Sequence, residues 1–323
     1  MPDSAPGQAA REWIRQQLEL AGRRPIGAMD RPRIRPWSTV VRILTDNGAV
    51  WFKANHAQTT YEAGLVRELA RQDPDLVLVP LATEVEQGWM LLPDGGPILR
   101  SYPDDAVLGH WERLLPEYAE LQQALSARTN DLIAMGVPDD RPESMPRLLT
   151  TLLDRTEVLL VDEPEGLSAD EFDRLRELSP ALAARCAILA SSGIAASVDH
   201  GDLHDGNVFV RAGGYAVFDW GDTSVAHPFC SLLVTMSAIR ARYDLAPNAT
   251  ALARLRDAYL EPWTGGHTRS ELIELATVAT AVAPLNRARS WERALNAVPA
   301  AERGDYRDAV PGWLRELLPQ PSP

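Results

Sequence analysis

The sequence predicts an α+β fold in two lobes: a small, mostly antiparallel sheet with one inserted helix over residues 1–96, and a larger, mostly helical lobe over residues 97–323. Three observations predict it. Strand-like alternation with tight-turn signals is concentrated in the first hundred residues, helical periodicity dominates the remainder, and Asp94-Gly95-Gly96-Pro97 separates the two. Such a cluster cannot continue a strand and permits unusual backbone angles. At 323 residues and 45% apolar composition the chain can bury a sizeable core.

Trp13, Ile14, Gln17, Leu18 and Ala21 fall on one stripe, predicting an opening helix that ends at Gly22. Ser38 to Thr45 alternates and is β-branched, Asp46-Asn47-Gly48 is a turn signal, and Ala49 to Ala54 is again strand-like, which makes a hairpin ending near Lys53. Thr59 to Arg71 reads as a helix, Leu76 to Val85 as a strand, Gln87-Gly88 as a turn and Trp89 to Pro93 as a strand. Beyond the boundary, Val107, Leu108, Trp111, Leu114, Leu115, Tyr118, Leu121 and Leu125 make a helical stripe. Further helices are expected near 145–156, 169–192, 228–242, 248–260 and 269–297, the last kinked at Pro284, with a loop over Pro138 to Pro146. One β segment interrupts this lobe: Asn207 to Val210, a Gly213-Gly214 turn, and Tyr215 to Asp219.

The net charge of −13 is uneven: residues 1–97 carry 11 basic and 12 acidic side chains, the remainder 21 and 33. This field disfavours nucleic acid and tilts the second lobe towards a cationic ligand, although solvation alone also accounts for acidic surfaces. No apolar run is long enough to span a bilayer, so no membrane partner is expected. Met1 to Ala10 lacks the basic-then-apolar order of a signal peptide, which points to the cytoplasm. Cys186 and Cys230 have no paired spacing and read as buried thiols. Of the 32 basic residues, 31 are arginine, and the single lysine is Lys53. An ammonium is a compact point charge where guanidinium is a planar fork, so a lone lysine marks a place the fork does not fit.

His200-Gly201-Asp202-Leu203-His204-Asp205-Gly206-Asn207 packs five polar side chains and two glycines into eight residues. The hairpin that follows returns Asp219 beside Asn207, because antiparallel strands joined by a short turn bring their outer ends together. An amide oxygen and a carboxylate then converge, the hard-oxygen set that magnesium prefers when phosphates supply further ligands. Asp202, on the same loop, is expected to face the same space.

The run His200 to Asn207, with Phe218-Asp219-Trp220-Gly221-Asp222 after it, resembles the aminoglycoside phosphotransferases and related small-molecule kinases of the protein-kinase-like fold. The resemblance is sharp at 49–66, 89–96 and 200–222. It implies an ATP- and magnesium-dependent kinase in which Asp202 is the catalytic aspartate, Asn207 and Asp219 hold the metal, and His200 orders the loop. Phosphoryl transfer gains mainly from positioning and charge neutralisation, which suits these roles. It implies further that Lys53 contacts the α- and β-phosphates and pairs with Glu62, and that backbone groups near Leu91 to Asp94, Leu92 and Asp94 among them, meet the adenine. Glu62 has a second reading, since Thr59-Thr60-Tyr61-Glu62 also satisfies a helix capping box. The same reading has Lys53 facing an open cleft, where it contributes little to folding.

Departures from the family pattern matter too. No glycine lies between Gly27 and Gly48, so Pro36-Trp37-Ser38-Thr39 replaces the glycine-rich loop, and any phosphate cradle there uses backbone N–H groups with the hydroxyls of Ser38 or Thr39. Gly201 and His204 stand where protein kinases carry arginine and lysine, which argues against regulation by loop phosphorylation. His204, Asp205, Asp222 and His227 either line the substrate side or serve the fold. The acceptor expected is a small-molecule hydroxyl on an antibiotic, a sugar or amino sugar, or an amino alcohol. The rival readings are a nucleotide-binding protein without turnover, and a metal-dependent hydrolase using His200, Asp202 and His204.

Overall fold

A computed structural model describes residues 6–319 and divides into two compact units, one of Met1–Ser101 with Gly206–Gly221 and one of Tyr102–Asp205 with Asp222–Pro323. The strands in chain order are β1 (Arg33–Ile34), β2 (Ser38–Thr45), β3 (Gly48–Asn55), β4 (Ala82–Glu84), β5 (Trp89–Pro93), β6 (Ser197–Asp199), β7 (Val208–Arg211), β8 (Gly214–Val217) and β9 (Ser224–Ala226). The helices begin with α1 (Gln8–Leu20), α2 (Tyr61–Gln72), α3 (Asp104–Leu125), α4 (Thr129–Ala134), α5 (Met145–Leu153) and α6 (Thr156–Leu159). They continue with α7 (Ala169–Glu177), α8 (Ser179–Ala190), α9 (Leu232–Arg242), α10 (Thr250–Leu260), α11 (Arg269–Leu295) and α12 (Ala309–Arg315).

In the first unit an antiparallel sheet runs β1-β2-β3-β5-β4. Helix α1 buries Ala10, Ile14 and Leu18 against Val41, Ile43, Val50, Phe52 and Leu91 of the sheet. Trp13, Phe52 and Trp89 meet at ring separations of 5.8 to 6.3 Å over that face. Successive strand residues point to opposite faces, so Lys53, beside Phe52, points away from α1. Asp46-Asn47 makes the expected two-residue turn, with Thr45 paired to Gly48.

The strand expected over Leu76 to Val85 is reduced to β4, and the reason is local. Pro80 has no N–H to give a ladder, and the residues before it pair elsewhere. Leu78 N–H donates to Val217 O at 3.1 Å, and Val217 N–H donates to Leu76 O at 2.7 Å. Val210 N–H donates to Pro97 O at 2.9 Å, and Phe209 bridges Ile98. These bonds group the β7–β8 ribbon with the first unit, although it lies far beyond residue 96 in sequence. A Cβ on Gly95 would come within 2.1 Å of the Phe209 ring, so the linker glycine is set by this close approach.

The second unit is helical around a short β6–β9 ribbon, which pairs Asp199 with Ser224. The predicted stripe of α3 is buried, apart from a half-buried Leu108. The helix expected over 145–156 ends at Leu153 as α5, with the short α6 following from Thr156, and that over 169–192 is split into α7 and α8 at Ser179-Pro180. Helix α9 is preceded by a 3-10 turn at Pro228–Ser231, and α11 runs through Pro284. Capping boxes at Ser168 and Thr268 start α7 and α11. Ribbon β6–β9, α4 and α12 were not expected from the sequence; three-residue strands buried throughout carry no alternation to read. No helix among the described residues is long and apolar enough to cross a membrane.

Candidate active site

The residues singled out by the sequence fall into two groups, one in each unit. In the first unit Lys53 Nζ lies 2.8 and 2.7 Å from the two carboxylate oxygens of Glu62, and 2.5 Å from Asp219 Oδ1. Lys53 is 7% and Glu62 1% exposed, so the ion pair is buried. Burial pulls the Lys53 pKa down, but the charges of Asp219 and Glu62 outweigh it and hold the group above the ordinary lysine value. Of the two readings of Glu62, the ion pair is the one formed. Helix α2 has Thr60 at its N-cap with no side-chain cap bond, and the Thr59 hydroxyl donates instead to Trp37 O at 3.1 Å. Lys53 therefore lies enclosed between carboxylates, which corrects the expectation of a lone charge facing an open cleft.

Asp219 adopts φ +65°, a left-handed conformation, just past the open end of the β7–β8 ribbon. Asn207 sits at the same end, its carbonyl accepting Phe218 N–H at 3.1 Å. Phe209 and Phe218 stack at 4.3 Å on the ribbon. The Tyr61 hydroxyl donates to Gly221 O at 2.6 Å, and a Cβ on Gly221 would lie 3.2 Å from Glu62. Backbone and aromatic contacts thus hold the ribbon end beside the Lys53–Glu62 pair.

The glycine-free segment that replaces a phosphate loop is tied down rather than loose. His56 N–H donates to Trp37 O at 2.9 Å, and His56 Nδ1 lies 2.6 Å from Pro36 O. Ser38 is buried, leaving Thr39 the more accessible hydroxyl. Leu92 lies in β5 opposite Trp51, and the Asp94 carboxylate accepts Gly96 N–H at 3.0 Å, spending an oxygen on the linker turn.

In the second unit Asp202 is held by polar groups from several elements. His204 Nε2 lies 3.4 Å from Asp202 Oδ2, and Arg287 Nη2 from α11 lies 3.3 Å from Asp202 Oδ1. Burial favours the protonated acid, but the His204 hydrogen bond and the Arg287 charge prevail and keep the carboxyl well below the usual carboxylate range. His200 is fully buried, and its Nδ1 accepts Asp202 N–H at 3.2 Å. Gly201 has φ +75°, and a Cβ there would come within 2.6 Å of Asp222 O; an arginine at this position is excluded twice over.

Beneath this loop Asp199 accepts from the Ser231 hydroxyl at 2.8 Å and from Gly201 N–H at 3.0 Å. Burial pushes its carboxyl up. The Tyr118 hydroxyl accepts His200 N–H at 3.0 Å, and Gln122 of α3 donates to Val198 O at 2.7 Å. Asp205 pairs with Arg242, and Asp222 accepts from Ser290 and lies 3.3 Å from Arg287 Nη1. His227 serves the fold: it is 1% exposed, its Nδ1 caps Phe229 N–H at 3.3 Å, and burial pushes its pKa down to about 3.

Arg287, Ser290, Asp199 and Arg242 were not anticipated. The signal available for the first two was faint: polar side chains on the buried face of a long helix, some eighty residues after the loop. Among the described residues no group of three or more His, Cys, Asp or Glu side chains is placed to hold a metal ion. Asn207 and Asp219 sit at one ribbon end, and an amide with a carboxylate is a donor set that fits magnesium, which binds through one or two carboxylates plus phosphates and water.

A model of the phosphotransferase enzyme family (APH) matches residues 35–273. No curated protein sequence matches the chain. Among solved structures, a macrolide 2′-phosphotransferase type I is 17% identical with a TM-score of 0.55, over 94% of this chain and 99% of that one. A choline kinase from Streptococcus pneumoniae is 12% identical with a TM-score of 0.57, over 96% and 99%. An amicoumacin kinase in complex with AMP-PNP and Ca2+ is 11% identical with a TM-score of 0.56, over 94% of each chain. At such identities these likenesses carry the fold, which is the protein-kinase-like α+β fold. The family match covers well over half of the sequence, from β2 through the Asp202 loop and the β7–β8 ribbon into α11, and the chain therefore belongs to the phosphotransferase enzyme family as a small-molecule kinase that takes a hydroxyl acceptor.

Proposed function

We propose that the protein transfers the γ-phosphate of ATP to a hydroxyl of a small molecule, with Asp202 as the base. The observation that carries this reading is the buried Lys53–Glu62 pair against Asp219, an ammonium fixed in place and held charged beside the residues suited to a metal. Lys53 meets the α- and β-phosphates, and Glu62 fixes its direction. Asn207 and Asp219 hold magnesium. When bound, the ion neutralises charge on the β- and γ-phosphate oxygens. Thr39 and backbone N–H groups supply the cradle that glycines give elsewhere, and the β5 end from Leu91 to Asp94 meets the adenine. AMP-PNP and a divalent ion in the amicoumacin kinase support ATP with a divalent ion as the phosphate donor.

The His204 hydrogen bond and the Arg287 charge hold the Asp202 carboxyl well below the usual carboxylate range, which favours the carboxylate, so it acts first by orienting the acceptor hydroxyl. As that oxygen bonds to the γ-phosphorus, the bond to the β,γ-bridging oxygen breaks, ADP leaves with the electron pair, and the hydroxyl proton passes to Asp202. The acidic second part of the chain and the choline kinase among its structural relatives favour an amine-bearing acceptor, and the cytoplasm supplies ATP. An ADP-release screen with antibiotics, amino sugars and amino alcohols as acceptors tests the reading. Asp202→Asn should lower turnover by roughly 10²–10⁴ while ATP affinity stays within a few-fold. Equal loss of ATP affinity would assign Asp202 to nucleotide or metal binding instead.

A further inference from the structure

Arg287 stands out because nothing in its helix calls for it. It is 6% exposed, and its guanidinium lies 5.7 and 6.0 Å from the rings of Trp313 and Trp291. Its Nε and Nη1 have no hydrogen-bond partner among the described residues, Nη1 being held at ion-pair distance only. A buried cation with unused donors is costly, and such costs concentrate at functional sites.

Its two arms explain the cost. Nη2 lies 3.3 Å from Asp202 Oδ1, and Nη1 lies 3.3 Å from Asp222 Oδ2. The remaining oxygen of each carboxylate has its own partner, His204 for Asp202 and the Ser290 hydroxyl for Asp222. Asp222 is the residue at which the chain re-enters the second unit after Gly206–Gly221, and Asp202 lies three residues before it leaves at Asp205. Gly201 abuts Asp222 O at the same place, and Asp199 pairs with Ser224 just beneath. One planar fork, lying over two tryptophan rings, thus spans both segments and holds a carboxylate on each.

We propose that Arg287 is a positioning residue for Asp202: clamped between Asp202 and Asp222, it fixes the direction of the carboxylate that receives the acceptor hydroxyl. The proposal rests on the reading of Asp202 as the base. The other ionisable groups facing Asp202 are His204 and His200, and a guanidinium keeps its charge at every pH a protein meets, so Arg287 supplies the permanent charge. A fork matters as well as a charge, because two carboxylates are held at once.

The test uses the full chain with ATP and magnesium, water serving as the acceptor, and follows ADP release beside the melting temperature. Arg287→Lys keeps the charge and loses the fork; it should lower kcat about 10-fold with KM for ATP within about two-fold, and Arg287→Gln should lower kcat about 100-fold. Turnover of Arg287→Lys within about two-fold of the parent would overturn the proposal, as would a loss of kcat matched by a loss of ATP affinity. If Arg287→Gln does not fold, Arg287→Lys decides alone. A lower melting temperature with parental kcat below it would make Arg287 merely structural. Asp202→Asn is measured alongside: if it is inactive while Arg287→Lys is unimpaired, the proposal fails and the base assignment stands, whereas parental turnover in Asp202→Asn removes both.

Discussion

Lys53 is the one lysine in a chain with 31 arginines, and its surroundings explain why guanidinium is unsuitable there. Two carboxylates converge on a single nitrogen within 2.8 Å, a geometry for a point charge and not for a fork. Lys53→Arg is expected to lower turnover roughly 10²-fold in steady-state kinetics by displacing the cation about 1 Å. Lys53→Ala should also destabilise the fold, by about 3–5 kcal/mol, because Glu62 is left buried and unpaired. Adding Glu62→Gln to Lys53→Ala should recover part of that loss in denaturant melts, a coupling expected only if the two side chains interact directly. A melt of Lys53→Ala that matches the parent would show that the pair contributes nothing to folding.

At the level of elements, the Asp202 loop depends on one glycine and the long helices on their caps. Gly201→Ala demands a left-handed backbone from an L residue, at about 1–2 kcal/mol, and drives a methyl into Asp222 O. It should therefore lower both melting temperature and kcat, since Asp202 is the next residue. Thr268→Ala removes the capping box of α11 far along the helix from Arg287, and should cost about 1 kcal/mol with kcat unchanged. Measuring the two variants together separates a stability loss from a loss at the loop; a Gly201→Ala enzyme with parental kcat would mean that the backbone there relaxes without moving Asp202.

For the whole molecule, the grouping of Gly206–Gly221 with the first unit gathers Lys53, Glu62, Asn207 and Asp219 into one compact body. Adding ATP with magnesium should raise amide protection at Lys53, in α2 and in the β7–β8 ribbon, measured by hydrogen exchange, and should stabilise the fold by about 2.7 kcal/mol at a hundred times Kd. Asp219→Ala should abolish the magnesium dependence of ATP binding in calorimetric titration, with Asn207→Ala weaker but similar in kind. Unaltered magnesium dependence in Asp219→Ala would remove the metal assignment.

The sequence by itself determined the α+β architecture, the β2–β3 hairpin, the α3 stripe and the run from His200 to Asp222, because each is written in short-range periodicity, turn residues or a contiguous motif. It also marked Lys53 through composition alone. Only the tertiary structure decided the rest. Glu62 could be a cap or an ion-pair partner until β3 and α2 were placed side by side. Leu76 to Val85 looked like one strand until Pro80 divided it and the residues before it took the ribbon as partner. Arg287 was unreadable because its partners lie 85 and 65 residues earlier in the chain, and a contact across that separation leaves no periodic trace. Local chemistry is carried by neighbouring letters, whereas the charge that holds a loop in place is carried by whichever helix the packing brings against it.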